Sequence, residues 1–124
     1  MDQPAATDTF TLYDLTVVVE QIAGHCTCAM AVGDRFMLQG GKLALPAGQT
    51  FCIYALQATL PLLPAKQRQN HPADWIETDA RTTCPDPACR LIMRIDRTAS
   101  RTIRHDDVSP IPWADIAGDQ ADHV

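Results

Sequence analysis

Five cysteines carry the most distinctive chemistry in this sequence, and all of them lie between Gly24 and Cys89. They are Cys26, Cys28, Cys52, Cys84 and Cys89. Thiolates are soft ligands that suit zinc, which takes about four ligands in a tetrahedral arrangement. We therefore expect three or four of these side chains to converge on one zinc ion and to hold together segments that are distant in the chain.

The spacing of the cysteines differs from that of the common zinc motifs. Cys26 and Cys28 form a C-x-C segment, and Cys84 and Cys89 frame the segment C-P-D-P-A-C, whereas ribbons and fingers use C-x-x-C pairs. Cys26 and Cys84 lie in turns beside Gly or Pro, and for these two we favour metal ligation. For the other three cysteines, a role without metal ligation remains open. In that interpretation Cys28 only lines its turn, and Cys52 and Cys89 are small hydrophobic core residues.

Other side chains are candidates for the fourth ligand. His25 and His71 offer ring nitrogens, although a single histidine is more often a surface or hydrogen-bonded residue. Asp86 offers an oxygen or a hydrogen bond to a ligand, but the common role of such an aspartate is to bond its own turn. The fourth ligand is therefore Cys28, Cys89, His25, His71 or Asp86.

No complete catalytic constellation is visible, so we assign no catalytic residue. The sequence contains no H-E-x-x-H segment, and thiolate-rich zinc sites are more often structural. A nucleophilic Cys26 or Cys52 would need a histidine base such as His25 or His71, and no local signature supports one. Residues 40–42 (Gly-Gly-Lys) lack the spacing of a phosphate-binding loop, so we expect this chain to bind no ATP.

Composition bounds the class of protein. A chain of 124 residues with 46% hydrophobic residues fits one globular domain. A net charge of −5 argues against a nucleic-acid partner or an acidic membrane surface. The sequence shows neither a signal peptide nor an apolar membrane span, which predicts a cytoplasmic protein. In that reducing compartment, clustered cysteines favour metal or redox chemistry over disulfides.

The elements that must position the cysteines can be predicted from periodicity and turn residues. Strands are predicted at residues 15–20, 35–38, 75–80 and 91–97, a loop at 43–48 and a helix at 49–63. Thr50 is the predicted cap of this helix, which places Cys52 in the first turn. The fold class is therefore α+β: a small, mostly antiparallel sheet with one main helix (about 50–63), held together by zinc.

The predicted domain organisation is simple. Residues 1–9 form an N-terminal arm, residues 10–106 a single domain, and residues 107–124 an extended C-terminal tail. Trp113 and Ile116 in this tail are candidate anchors for a partner surface; the alternative is that the tail folds back over its own domain.

Several short motifs resemble a family of small bacterial cysteine-containing domains over residues 13–97. They are Gly24-His25-Cys26, Val32-Gly33-Asp34-Arg35-Phe36, Phe51-Cys52 with Ala55-Leu56, Leu60-Pro61 and Cys84-Pro85-Asp86-Pro87. The C-P-D-P element is the most specific of these, and residues 49–50 are interposed before Phe51-Cys52. The resemblance implies that Cys26, Cys52 and Cys84 are the shared family cysteines and that Cys28 and Cys89 are extra.

In its composition, its acidic charge and its C-terminal tail, the chain resembles, more particularly, the small zinc-binding subunits of bacterial ATP-dependent ketone carboxylases of the acetophenone carboxylase kind. That resemblance implies a non-catalytic structural subunit that carries zinc and assembles with large subunits, which perform the ligase chemistry. Two other classes remain open on the residues alone. One is a stand-alone small metal- or thiol-dependent enzyme, and the other is a free metal-binding or redox-sensing module.

Overall fold

The computed structural model describes residues 8–122, so nearly all of the predicted arm at 1–9 lies outside the described residues. The chain divides into two compact units. One unit comprises residues 13–100, and the other comprises residues 1–12 and 101–124. The cysteines all belong to the first unit.

A five-stranded antiparallel sheet, in the order β3-β2-β1-β5-β4, is the frame of the fold. The strands are β1 (Thr9–Ile22), β2 (Arg35–Gln39), β3 (Lys42–Ala44), β4 (Arg81–Thr83) and β5 (Leu91–Arg104). The two longest strands, β1 and β5, are neighbours at the centre of the sheet. The predicted antiparallel α+β class is therefore confirmed.

The sheet forms because apolar residues alternate along its central strands. Leu15, Val17 and Val19 are buried in β1, and β5 repeats the pattern at residues 91, 93 and 95. Side chains alternate between the two faces of a strand, so each series lies on one face. Val17 pairs with Phe36 of β2, whose ring is fully buried. This face is the core of the unit.

In the described residues 8–122, five short helices accompany the sheet: α1 (Ile53–Thr59), α2 (Leu63–Lys66), α3 (Trp75–Thr78), α4 (His105–Val108) and α5 (Trp113–Asp122). The first three contribute to the core through Ala55, Leu56, Leu63 and Ile76. Residues 8–122 include no helix that is long and apolar enough to cross a membrane.

Three of the four predicted strands are confirmed, and the fourth is wrong. Residues 15–20, 35–38 and 91–97 lie within β1, β2 and β5. The strand predicted at 75–80 is instead α3 over Trp75–Thr78. Its start is fixed by Asp74, whose side chain accepts a hydrogen bond from the Ile76 N–H at 3.0 Å. This capping interaction outweighs the β propensity of the segment.

The prediction of one main helix at residues 49–63 is also wrong. Helix α1 begins at Ile53 with Cys52 as its N-cap residue, so Thr50 is not the cap. It ends at Thr59, and a separate turn of helix, α2, follows from Leu63. Pro61 has no N–H to donate to the carbonyl of Gln57, which explains the break between them.

Two further predictions are corrected. The loop predicted at 43–48 contains the end of β3, where Leu43 pairs with Leu38. The tail predicted as extended contains α4 and α5. Asp106 accepts a hydrogen bond from the Trp113 N–H at 2.9 Å, and the His105 and Trp113 rings lie 5.3 Å apart. These contacts order the segment without any helical periodicity in its sequence.

Candidate metal centre

One cavity of about 350 Å³ is lined by all five cysteines of the chain. Thr27, Tyr54, Pro85 and Asp86 complete its lining. All five thiols are free of disulfides. The three cysteine-bearing segments that the sequence singles out therefore meet at one place in the fold.

The central strand pair brings the first and last of these segments together. Beyond the end of β1, the N–H groups of Ala23, Gly24 and His25 donate to the carbonyls of Arg90, Cys89 and Ala88, at 3.1, 3.0 and 2.9 Å. The backbone that leads into Cys26 is thus bonded to the backbone around Cys89. The pairing of β1 with β5 fixes the separation of these two cysteines.

Gly24 is essential to this close approach. A Cβ atom at this position would lie 2.0 Å from the Ala88 carbonyl oxygen and 2.6 Å from that of Cys89. Both neighbours are backbone atoms, which have little freedom to move away. Only glycine therefore allows the two segments to lie this close.

The C-P-D-P-A-C segment is a tight turn that returns the chain to the cavity. Cys84 donates its N–H to the Leu91 carbonyl at 3.0 Å, and Cys89 donates to the Asp86 carbonyl at 3.0 Å. The Asp86 carboxylate accepts a hydrogen bond from the Ala88 N–H at 3.0 Å. Asp86 therefore bonds its own turn, as one of the two sequence interpretations predicts, and both ends of the turn present a thiol to the cavity.

Met30 connects the segment around Cys26 with the segment around Cys52. The sequence analysis did not predict this role. Its N–H donates to the Cys26 sulfur at 3.4 Å, and its own sulfur accepts a hydrogen bond from the Cys52 N–H at 3.4 Å. Phe51, which precedes Cys52, packs edge-on against Phe36 of β2 with ring centroids 5.0 Å apart. These contacts hold the start of α1 against the cysteine turn. A lone methionine gives no sequence signal for such a bridge.

The thiols fall into two groups by the partners that shift their pKa values. Cys28 and Cys52, which line the same cavity, influence each other's ionisation. The influence of Cys52, followed by desolvation, raises the pKa of Cys28. Burial opposes ionisation of Cys52, but Cys28 and the N–H groups of Ala55 and Tyr54 outweigh it and lower the pKa of Cys52. Cys52 is therefore the member of this pair that more readily carries negative charge.

The second group consists of Cys26, Cys84 and Cys89. Cys89 shares the cavity with both of the others and has only 3% of its surface exposed. Burial, reinforced by these two thiols, raises the pKa of Cys89 to about 11. The Cys89 thiol therefore stays protonated when only other thiols surround it. A cation among them would reverse that preference, because it stabilises thiolates.

The arrangement is a shared cavity and not a finished coordination sphere. Within residues 8–122, no group of three or more His, Cys, Asp or Glu side chains is already arranged to hold a metal ion. The donor chemistry nevertheless fits zinc, because five soft sulfur ligands line one cavity. Zinc ligation by these cysteines therefore stays a prediction.

The two candidate histidines, His25 and His71, do not line this cavity. Both are exposed, and the Nδ1 atom of His71 accepts a hydrogen bond from the Ala73 N–H at 3.0 Å. Of the non-cysteine candidates for the fourth ligand, only Asp86 is a lining residue, and it is engaged in its turn.

A polar cluster centred on Arg97 also stabilises this unit. The sequence analysis did not predict this cluster. Arg97 of β5 makes two hydrogen bonds to the Glu77 carboxylate of α3, at 2.8 and 2.5 Å. The same guanidinium donates to the carbonyls of Lys66 and Arg68 and lies 4.3 Å from the centre of the Tyr13 ring. Arg97 thus ties α2 and α3 to the sheet, and its donors are taken up by these structural bonds.

Comparison with protein-family models, with curated proteins and with solved structures finds no match to this chain. The structure alone therefore describes the class of this protein. It is an α+β domain with a five-stranded antiparallel sheet and a cavity lined by five cysteines.

Proposed function

We propose that this chain is a small, non-catalytic, zinc-binding structural subunit of a multisubunit ATP-dependent ketone carboxylase of the acetophenone carboxylase kind. The observation that carries the zinc part of the proposal is the single cavity lined by Cys26, Cys28, Cys52, Cys84 and Cys89. The carboxylase part rests on the resemblance in composition, acidic charge and C-terminal tail.

The grouping of the thiols suggests how they would share one zinc ion. Cys26, Cys84 and Cys89 would supply three ligands, because Cys89 shares the cavity with both of the others, which help to raise its pKa. One member of the Cys28–Cys52 pair would supply the fourth, and Cys52 is the family cysteine of that pair. Bound zinc would lock the three segments to one another and so stabilise the folded state.

A structural role for the metal is favoured over a catalytic one. Zinc sites with four sulfur ligands are closed and leave no position for a reacting water. A nucleophilic cysteine would need a histidine in contact with it, whereas His25 and His71 do not line the cavity. In this proposal the chemistry and the ATP belong to the large subunits, and the chain works in the cytoplasm without a nucleic-acid or membrane partner.

Apolar side chains near the cavity support a role in assembly. Ile53 and Tyr54, in the first turn of α1, are 62% and 60% exposed, and Leu60 just after the helix is 49% exposed. Tyr54 also lines the cavity. A subunit that packs on this face would cover the thiol site and exclude competing ligands.

Purification from the native source, followed by native mass spectrometry and metal analysis, tests the proposal. We expect about one zinc per chain, together with large subunits that co-purify. Purified large subunits should recover ATP-dependent carboxylation of an aryl ketone when this chain is added. A metal-free chain would contradict the zinc site, whereas a zinc-loaded chain that is always alone would contradict the subunit role and favour a free metal-binding module.

A further inference from the structure

Cys28 and Cys52 form a pair of thiols with unequal access to solvent. Cys28 lies in an exposed turn, whereas Cys52 is half-buried at the start of α1. The two residues come from different segments, and both line the same cavity of about 350 Å³. The cavity thus places two oxidisable sulfur atoms near each other, and the exposed Cys28 makes the pair accessible to small reagents.

The remaining thiols are less suited to oxidation. Cys89 is 3% exposed, and Cys26 and Cys84 are half-buried. The Cys26 sulfur also accepts the Met30 N–H. Access favours oxidation at the pair that contains Cys28, because susceptibility to oxidants follows exposure as well as thiolate character.

We propose that Cys28 and Cys52 are a modification site at which a peroxide joins the two thiols in a disulfide, and that this bond controls whether the cavity retains its metal. The disulfide itself does not depend on zinc. Its effect on the metal rests on the proposed zinc site.

The chemistry balances with hydrogen peroxide as the oxidant. One thiol attacks the peroxide, breaks its O–O bond and becomes a sulfenic acid, with release of one water. The second thiol then attacks that sulfur, and the sulfenic oxygen leaves as a second water. Two thiols and one peroxide thus give one disulfide and two waters. The sulfurs must close to about 2.05 Å, a movement that the exposed turn bearing Cys28 can supply.

The number of thiols explains the consequence for the metal. Five cysteines line the cavity, and zinc uses about four ligands. Loss of Cys28 alone leaves Cys26, Cys52, Cys84 and Cys89, a complete sulfur set. A Cys28–Cys52 disulfide removes two thiols at once and leaves three, which is too few for a closed site.

The experiment treats the full-length protein with hydrogen peroxide, in separate zinc-loaded and zinc-free samples. Peptide mapping should identify a Cys28–Cys52 disulfide, with a mass lower by two hydrogen atoms, in both samples. A zinc-sensitive dye should report metal release from the loaded sample. We expect Cys28→Ser to bind zinc, to form no disulfide, and to release zinc at least about tenfold more slowly than the unmodified protein.

Thr27→Ser is the matched control, because Thr27 lines the same cavity and its replacement keeps all five thiols. It should form the disulfide and release zinc as the unmodified protein does. A disulfide between any other two cysteines, or none in the zinc-free sample, overturns the proposed modification site. Equal zinc release from Cys28→Ser overturns its link to the metal. A protein that never binds zinc contradicts the proposed function but leaves the disulfide test intact.

Discussion

The five cysteines show that one residue type can occupy one cavity in different roles. Cys89 is buried, and two other thiols help to raise its pKa, whereas Cys28 is exposed, and Cys52 raises its pKa. The cysteines that the family resemblance treats as extra are therefore at the two extremes of burial. Burial and neighbouring thiols distinguish Cys28 from Cys89, whereas their spacing along the chain does not.

Replacement of Cys84 by serine should remove zinc and stability together. In the proposed site Cys84 is one of the three ligands grouped around Cys89, and its rigid turn holds it in a place that Cys28, on the exposed turn, does not reach. The loss of bound metal should lower the free energy of unfolding by about 4 kcal/mol where free zinc is about 1,000 times the Kd. Metal analysis and urea unfolding check this, with Thr83→Ser in the adjacent strand as control. A Cys84→Ser protein that keeps zinc would refute the ligand assignment.

Gly24→Ala should destabilise the domain by about 3 kcal/mol, because its Cβ would meet the Ala88 carbonyl at 2.0 Å. The change should also separate Cys26 from Cys89 and weaken metal binding. Gly41→Ala is the control, since a Cβ there meets nothing within 4 Å, and it should change stability by no more than about 0.5 kcal/mol. Urea unfolding curves compare the two, and equal stability would show that the contact relaxes freely.

The sequence could predict which residues meet in the cavity but not how they meet. Cysteines are rare and their chemistry is distinctive, so their convergence follows from composition and a small chain. Met30 is hydrogen-bonded to both Cys26 and Cys52, and Gly24 lies directly against the backbone of residues 88 and 89. Methionine and glycine occur in many other structural roles, so their presence in the sequence does not predict these contacts. No spacing rule records such contacts.

At the scale of elements, prediction succeeded where burial sets the pattern. Strands β1 and β5 alternate buried and half-buried residues at positions 15–20 and 91–96, so their periodicity is visible in the sequence. Helix α3 has only four residues and one buried side chain, Ile76, which is too short for a helical period. Its formation depends on the cap at Asp74 and on the bonds of Glu77 to Arg97.

The ion pair between α3 and β5 should make stability depend on pH. The hydrogen bonds from Arg97 and from the Asn70 N–H lower the pKa of Glu77 from 4.5 to about 2. The folded state therefore favours the charged carboxylate, and this stabilisation is present above pH 4.5. It is lost as the pH falls toward 2, because the folded state must then bind the proton as well.

Glu77→Gln should accordingly be less stable than the unmodified protein at pH 7, and the difference should shrink as the pH approaches 2. Urea unfolding across this pH range measures both proteins. Asp107→Asn, at an exposed carboxylate of α4, serves as the control for loss of one negative charge. A constant difference at all pH values would show that Glu77 contributes through packing alone.

At the scale of the whole molecule, the core is confined to one of the two units. Among residues whose side chains are described, every buried hydrophobic residue except Leu12 lies within residues 13–100. All five cysteines lie there as well. The main core and the cysteines therefore belong to the same unit.

Deletion of residues 109–124 should leave the domain folded and able to bind zinc, while it weakens assembly with large subunits. The urea midpoint should be unchanged, because the deletion removes no core residue of unit 13–100. Substitution of Trp113 and Ile116 by serine in the full-length chain tests the assembly part separately. A truncated protein that unfolds would show that the tail belongs to the core.

The strand order also has a consequence for the timing of folding. The centre of the sheet joins β1, near the start of the chain, to β5, which is the last strand to be synthesised. Strand β1 can pair early with β2, but its other edge stays unpaired until β5 has left the ribosome. Such long-range pairing is slow and leaves a strand edge open to wrong partners. In the proposed site, zinc can join all three cysteine segments only once Cys84 and Cys89 have emerged, just ahead of β5.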